Sequence, residues 1–182
     1  MTNNEKLAQL LFPNITKTPE DYEAVYPPRN LPEGARVTRF APSPTGYLHM
    51  GGFFGALVDI LTAQVTNGVS FLRIEDTDKK REVEDGVSAI IKGFEYFGVE
   101  FTEGVTGFGT EKGEYGPYTQ SQRAEIYQTI AKSLVEKGLA YPCFCTSEEL
   151  EKVRNEQEAN KLRTGYYGKF AKHRDITYEE AK

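Results

Sequence analysis

Hydrophobic positions recur at helical and strand-like spacings along much of the chain. In residues 52–66 the apolar side chains recur every three or four positions, which predicts a helix that ends at Asn67-Gly68. The flanking runs 35–41 and 69–75 are rich in β-branched and aromatic residues and are predicted as strands. Strand, helix and strand in this order predict a right-handed βαβ unit with parallel strands.

Further helices and turns follow from the rest of the pattern. Helices are predicted over 4–12, from Pro19 behind an N-cap Thr18, over 82–97, over 121–138, over 146–162 and from Thr177 onward. Thr-x-x-Glu capping boxes begin the last two of these helices. The glycine-rich residues 98–118 are predicted to be irregular, and LAYPCFC, residues 139–145, is predicted as a short strand.

The composition is that of an ordinary globular protein. The chain has 182 residues, is 38% hydrophobic and 27% charged, and carries a formal net charge of −5. An acidic total argues against general nucleic-acid binding, although it does not exclude a local basic face. No apolar run approaches the ~20 residues that span a bilayer. Cys143 and Cys145 are too few for a disulfide framework, so we expect a cytoplasmic protein.

The segment TRFAPSPTGYLHMGG, residues 38–52, carries the strongest chemical signal. Its two prolines stiffen the backbone, and its three glycines permit a sharp turn and the close approach of a ligand. His49 precedes the start of helix 52–66, where N–H groups and the helix dipole favour phosphate. An imidazole can bind phosphate oxygens and become cationic in a transition state. The competing interpretation is a plain surface loop with a solvated histidine.

Two motifs in order, RFAPSPTGYLHMGG and FLRIEDTD, resemble the class I glutamyl-tRNA synthetases. The similarity extends from about Thr38 to Tyr167, includes YTQSQR and AYPCFCTSEEL, and puts the sequence HMGG in place of the family's HIGH element. Glutaminyl-tRNA synthetases typically carry RFDDTN at the second motif. Glutamyl-queuosine tRNA(Asp) synthetases usually carry a serine after the first glycine of the HIGH element and RIEDID later. Gly52 and Thr77 therefore favour the glutamyl enzymes.

The resemblance implies an α/β fold in three parts. Residues 1–35 would form a short helical N-terminal extension, 36–118 the first half of a Rossmann-like nucleotide-binding domain with a parallel sheet, and 119–182 the start of an α+β acceptor-stem insertion domain. The family's lysine loop of the KMSKS type, the second half of the nucleotide fold and the anticodon-binding region have no counterpart here. We therefore expect an N-terminal portion of a longer, monomeric enzyme that is inactive alone.

The activity that the resemblance implies has two steps. L-Glutamate and ATP, which brings Mg²⁺ with it, give glutamyl adenylate, and the glutamyl group then passes to the 3′ end of tRNA(Glu). Three alternatives stay open: a glutamyl-queuosine tRNA(Asp) synthetase-like enzyme, a small nucleotidyltransferase, and a non-catalytic module that binds ATP or RNA.

The resemblance also assigns site residues, with His49 as the catalytic side chain. Glutamate would be bound by Arg39, Ala41, Ser43 and Glu75, and ATP by Pro42, Thr45, Gly46, His49, Gly51 and Gly52. An arginine fork pairs well with a carboxylate, so the site should reject glutamine. The competing interpretation of Arg39 is a salt bridge to Glu75 or Asp76. Asp76 and Asp78 are expected to cap the loop before helix 82–97.

Cys143, Cys145 and His173 form an incomplete zinc-like set. Some family members bind Zn²⁺ through Cys-x-Cys and a later Cys-x-His, but Phe170 stands at the third cysteine position. A structural zinc needs four ligands, so we expect no metal here and two thiols buried in a packed strand. Residues 152–174 hold seven Lys or Arg and two Glu, which suits a tRNA acceptor arm or, equally, a solvated helix face.

Overall fold

A four-stranded sheet organises residues 20–127 in the computed structural model, which describes all 182 residues. Its strands are β1 Val37–Phe40, β2 Val69–Leu72, β3 Glu103–Gly107 and β4 Thr110–Lys112, in the spatial order β1-β2-β3-β4. The pairs β1–β2 and β2–β3 are parallel, and β3–β4 is antiparallel. The predicted α/β class and the parallel βαβ unit are confirmed.

Seven α-helices accompany the sheet: α1 Asn3–Leu11, α2 Pro19–Val25, α3 Met50–Val65, α4 Gly86–Tyr96, α5 Ala124–Glu136, α6 Ser147–Ala159 and α7 Tyr178–Ala181. Each predicted helix is present, with shifted ends. The capping boxes of α6 and α7 form, because the hydroxyls of Thr146 and Thr177 accept from the amides of Glu149 and Glu180. No helix combines the length and the apolar character that crossing a membrane requires.

Two local predictions are wrong. Residues 98–118 contain the β3–β4 hairpin, whose tip turns at Gly109 with a positive φ of 71°. Both strands are short, and β3 contains two glycines and is held by pairing with β2, which the local sequence does not reveal. Residues 139–145 form no strand. Pro142 lacks an N–H, and no neighbouring strand offers this run a ladder.

The core of residues 20–127 lies between the sheet and helices α3 and α4. Leu72, Ile90 and Phe94 are buried there, and the Phe40 ring meets the Phe94 ring edge to face at 5.8 Å between centroids. Thr38 Oγ1 donates to the Asp59 carbonyl at 2.8 Å, which fixes α3 over β1. This packing holds the carboxyl ends of β1 and β2 side by side.

The chain falls into two compact units that do not follow the predicted boundaries after residues 35 and 118. One unit is 20–127, and the other joins 1–19 to 128–182. In the second unit Leu7 and Ala8 of α1 form a small core with Val135, and Ile176 packs against it. The division into compact units therefore does not test the predicted domain organisation, which stays a prediction.

A half-buried ion pair ties the segment before β1 to the sheet. Arg29 donates from both terminal nitrogens to Glu103, at 2.6 and 2.7 Å, and Tyr118 donates to the same carboxylate at 2.6 Å. The guanidinium also stacks on the Tyr115 ring, 3.7 Å from its centroid. The Arg29 hydrogen bonds hold the pKa of Glu103 below its usual range, although burial opposes them. Burial and, to a smaller extent, the hydrogen bond to Glu103 raise the pKa of Tyr118 to about 12.

We expect Glu103→Gln to destabilise the chain by roughly 1.5–3 kcal/mol at pH 7, because it removes charged hydrogen bonds and leaves Arg29 unpaired. The pKa of Glu103 is lowered in the folded state, so its contribution is complete above the usual glutamate pKa of about 4.3 and is lost as the pH falls further. Urea unfolding at pH 7 and at pH 3 should show the difference between wild type and variant shrinking in acid. The exposed Glu100→Gln is the matched control. A difference that stays constant with pH would contradict this role.

Candidate active site

The loop after β1 and the segment after β2 run side by side at the carboxyl edge of the sheet. Arg73 N donates to the Phe40 carbonyl and Glu75 N to the Pro42 carbonyl, both at 3.0 Å. Further along, Pro44 is fully buried and its carbonyl accepts from Val83 N at 2.9 Å. The two motifs that carried the sequence interpretation therefore form one backbone-bonded surface.

Glycine at position 86 is required by this arrangement. A Cβ on Gly86 would lie 2.6 Å from the Pro44 carbonyl oxygen, so the first turn of α4 can approach the loop only without a side chain. The sequence analysis did not single out Gly86, since it lies outside both motifs.

His49 is the N-cap of α3. Its Nδ1 accepts from Gly51 N at 3.1 Å, and the side chain is exposed. Because Nδ1 accepts a hydrogen bond, the neutral ring carries its proton on Nε2, which can donate to a ligand. The imidazole thus occupies the Gly51 N–H, one of the groups that the sequence analysis expected to bind phosphate. The Nε2–H of His49 is then the donor that remains for a phosphate ligand.

The two glycines behind His49 make room for neighbouring side chains. A Cβ on Gly51 would lie 2.9 Å from His49 Cε1, and one on Gly52 would lie 2.9 Å from Leu48 Cδ1. Gly51 therefore lets the imidazole fold back over the helix start. Both glycines lie inside the first turn of α3, whereas the predicted start at residue 52 had left Gly51 ahead of the helix.

Arg39 makes no ion pair with Glu75 or Asp76, so that competing interpretation is wrong. Glu75 Oε1 instead accepts from Arg73 at 3.1 Å. Arg39 is exposed on β1, and its charge acts on Asp59 of α3. Burial raises the pKa of Asp59, and the positive charge of Arg39 opposes the rise. The guanidinium is therefore open to a carboxylate ligand.

The two aspartates of RIEDTD have different roles. Asp76 is buried and accepts from Ser121 N at 2.8 Å, Ser121 Oγ at 2.6 Å and Lys79 at 3.1 Å. Burial raises the pKa of Asp76, but these hydrogen bonds outweigh it and the pKa lies below its usual range. Asp76 thus bonds to the loop before α4 through Lys79, as expected, and also fixes YTQSQR through Ser121, which the sequence analysis did not predict. Asp78 pairs with Arg81 within that loop, as expected.

The other predicted residues lie along the same loop. Ala41, Pro42, Thr45 and Gly46 are half-buried and Ser43 is exposed. A cavity of about 320 Å³ lies next to Asp76 and is lined by Lys79, Phe108 and Ser121 among others, but by none of the predicted site residues. The sequence analysis missed this cavity because its far wall is the unpredicted β3–β4 hairpin.

The thiols are not buried in a packed strand, which corrects that expectation. Cys143 is exposed and Cys145 half-buried, and the ligand atoms of Cys143, Cys145 and His173 all lie within 4.8 Å of one another. The Tyr166 hydroxyl approaches Cys145 Sγ at 3.4 Å and His173 Nδ1 at 3.5 Å. Hydrogen bonds, first from Tyr166 and then from the Cys145 amide, lower the pKa of Cys143 to about 7. Two thiols and one imidazole give three ligands of the kind that zinc uses, and Tyr166 is a hydrogen-bond partner of this cluster and not a usual zinc ligand.

We expect the chain to bind one Zn²⁺ at this cluster, in calorimetric titration under reducing conditions, with proton release from the thiols. Cys143→Ser should weaken binding at least ~100-fold, because it removes one of two thiolates, and Tyr166→Phe should weaken it less. His49→Asn is the control that should leave binding unchanged. If the chain binds no zinc, or if Cys143→Ser leaves zinc binding unchanged, the cluster is not a metal site, which is what the sequence predicts.

The basic run 152–174 is partly neutralised by local acids. Arg154 pairs with Glu158 at 2.9 Å, Lys169 with Glu156 at 2.9 Å and Lys172 with Glu149 at 2.7 Å. The aromatic side chains of this run also differ in their exposure. Tyr167 is exposed, but Phe170 is buried and cannot stack on a base. The open cations in this run are Lys152, Lys161, Arg163 and Arg174.

Comparisons with known proteins agree on one family. A profile described as "tRNA synthetases class I (E and Q), catalytic domain" matches residues 36–182. The glutamate–tRNA ligase of Clostridium beijerinckii is 59% identical over 177 residues, which are 97% of this chain and 32% of that protein. The Acetivibrio thermocellus ligase is 58% identical over 98% of this chain and 33% of its own length. The chain thus spans about a third of the curated relatives that it matches.

A solved structure gives the same match. The crystal structure of a glutamate tRNA ligase from Elizabethkingia meningosepticum in complex with its amino acid superposes with a TM-score of 0.64 and 40% identity. The match covers 76% of this chain and 27% of that one. The fold similarity therefore includes most of the sheet-bearing part of the chain.

Proposed function

The chain belongs to the class I tRNA synthetases for glutamate and glutamine, and we propose that it is the nucleotide- and glutamate-binding portion of a glutamate–tRNA ligase. The assembled enzyme would convert L-glutamate and ATP to glutamyl adenylate and pyrophosphate, and then transfer the glutamyl group to tRNA(Glu). Because the chain spans about a third of its relatives, we expect no aminoacylation by residues 1–182 alone.

One observation carries the proposal: the cap on α3 leaves His49 Nε2 as a free donor, on the loop that is backbone-bonded to the Glu75 segment. In the first step an α-carboxylate oxygen of glutamate attacks the α-phosphorus of ATP, and the bond to pyrophosphate breaks. His49 Nε2–H would donate to phosphate oxygens as their charge grows. Catalysis of this kind rests on positioning and charge stabilisation.

Glutamate would be held at both of its ends. Arg39, which makes no salt bridge and acts on Asp59 only through its charge, would bind the side-chain carboxylate, and Glu75 would bind the α-ammonium while Arg73 fixes its orientation. Ala41 and Ser43 would complete the amino-acid site. The ATP contacts proposed are those of Pro42, Thr45, Gly46, Gly51 and Gly52 together with His49.

Mg²⁺ would arrive with ATP and supply charge compensation between its phosphates. Ser121, Lys79 and Arg81 already engage the carboxylates of Asp76 and Asp78, so these aspartates are not offered as metal ligands. The open cations of 152–174 would face phosphates of the tRNA acceptor arm. We propose a monomer for the assembled enzyme.

The test uses a chimera in which residues 1–182 replace the matching third of the Clostridium beijerinckii ligase. ATP–pyrophosphate exchange should depend on L-glutamate and not on L-glutamine, with tRNA(Glu) present throughout. Exchange that is independent of glutamate would overturn the substrate. Transfer of glutamate to tRNA(Asp) in place of tRNA(Glu) would favour the queuosine-type alternative, and ATP binding without exchange would favour a non-catalytic module.

A further inference from the structure

Both backbone groups of Ile74 are bonded to the segment 118–121. The Ile74 amide donates to the Tyr118 carbonyl at 3.0 Å, and the Ile74 carbonyl accepts from Gln120 N at 2.9 Å. Ile74 is buried and immediately precedes Glu75, the residue proposed to bind the α-ammonium of glutamate. The position of the Glu75 backbone at this edge of the sheet therefore depends on where the segment 118–121 lies.

The side chain of Tyr118 fixes that segment in its turn. Its ring is buried, and its hydroxyl donates to Glu103 at 2.6 Å and accepts from Tyr115 N at 3.2 Å. Glu103 is also the carboxylate that Arg29 binds through both terminal nitrogens. The side chains of Arg29 and Glu103 are only 16% and 14% exposed, so water competes little for these hydrogen bonds.

Arg29 is itself held by contacts with the loop that precedes Tyr118. Its guanidinium stacks on the Tyr115 ring, 3.7 Å from the centroid, and the Tyr115 hydroxyl donates to the Pro27 carbonyl at 2.8 Å. Residues 27–29 therefore lie against this loop with both a stacking contact and a hydrogen bond. They precede the part of the chain that the family profile matches.

We propose that Arg29 is a positioning residue for the amino-acid site, which acts through Tyr118 on the place of Glu75. Without the guanidinium, the Glu103 carboxylate would lose its charged partner and turn toward water, and the Tyr118 hydroxyl would lose its fixed acceptor. The attraction between a carboxylate and an ammonium falls with distance, so a displaced Glu75 would bind glutamate less tightly. Because the role of Glu75 is part of the proposed function, the positioning role rests on that function.

The test measures KM and kcat separately, by ATP–pyrophosphate exchange in the chimera with tRNA(Glu) present. Arg29→Ala should raise the KM for L-glutamate roughly 3- to 10-fold and leave kcat and the KM for ATP within ~2-fold, because the lost contact acts equally in the ground and transition states. Arg29→Lys keeps the charge but not the two-pronged hydrogen bond, so it should recover part of the rise. A role in stability alone would lower the active fraction, and with it kcat, without changing KM.

Tyr118→Phe tests the link between Arg29 and the site. It removes one hydroxyl and leaves the ring in the core and the ion pair between Arg29 and Glu103 in place. It should also raise the KM for L-glutamate, and the double variant should be no worse than Arg29→Ala, since both changes break the same series of contacts. Tyr118→Phe decides the question if Arg29→Ala does not fold. The exposed Arg36→Ala is the matched control and should change none of the three parameters.

The outcomes separate the positioning role from the proposed function. If the wild-type chimera is active but Tyr118→Phe or a folded Arg29→Ala variant leaves the KM for L-glutamate unchanged, the positioning role is overturned and the proposed function stands. Increases that multiply in the double variant would equally overturn it, because the two residues would then act independently. A wild-type chimera without glutamate-dependent exchange would overturn the proposed function, and the positioning role with it.

Discussion

Replacing His49 by alanine should reduce glutamate-dependent ATP–pyrophosphate exchange about 10²–10³-fold in the chimera, because the phosphates lose a preorganised donor. The same change removes the N-cap of α3, which by itself costs about 0.5–2 kcal/mol. His49→Asn separates the two losses. Its Oδ1 can accept from Gly51 N and keep the cap, but the residue has no counterpart of Nε2–H at the same reach.

The measurements are exchange rates at saturating ATP and glutamate, together with urea unfolding. Both variants should lose exchange to a similar extent, whereas only His49→Ala should lose stability. The exposed Lys92→Ala on α4 is the control for a substitution far from the loop. If His49→Asn retains wild-type exchange, then His49 is a helix cap and the phosphate role is wrong.

Replacing Arg39 by glutamine should lower kcat/KM for glutamate by roughly 10- to 150-fold, the equivalent of ~1.5–3 kcal/mol for hydrogen bonds to a charged group. The preference for glutamate over glutamine should narrow, because the site no longer opposes a neutral amide with a cation. Arg39 has no carboxylate partner within hydrogen-bonding distance in the chain, so no structural ion pair is broken. Stability should therefore change little, and the effect should be confined to substrate use.

The matched control is Arg36→Gln, an exposed arginine next to the same strand. Exchange assays with glutamate and with glutamine, at several concentrations of each, give the two kcat/KM values. If Arg39→Gln and Arg36→Gln have equally small effects, the side-chain carboxylate of glutamate is bound elsewhere. A loss that is equal for both amino acids would place Arg39 at the α-carboxylate or at ATP.

Local sequence was enough for the parts of the fold that local forces decide. The periodicity of 52–66, the stop at Asn67-Gly68 and the capping boxes before α6 and α7 each depend on residues within one or two turns, so they appeared where expected. The adjacency of the segments that follow β1 and β2, which carry Pro42 and Glu75, was also predictable, because a βαβ unit brings those strand ends together.

Tertiary structure alone decided the contacts between distant segments. Nothing in the local sequence marks Glu103, whose partner Arg29 lies 74 residues away in the chain. Asp76 likewise bonds to Ser121, which lies 45 residues further along. Tyr166 contacts Cys145 only because α6, which separates them in sequence, brings the two residues together. β3 is a strand only because it pairs with β2. By itself the sequence determined the helices, the βαβ unit and the proline- and glycine-rich loop after β1, since each is encoded within a short window. Three features depend on residues that are far apart in the chain and that only folding brings together. They are the pairing of charges, the contact of the thiols with a tyrosine, and the apolar side of α3 that stays exposed.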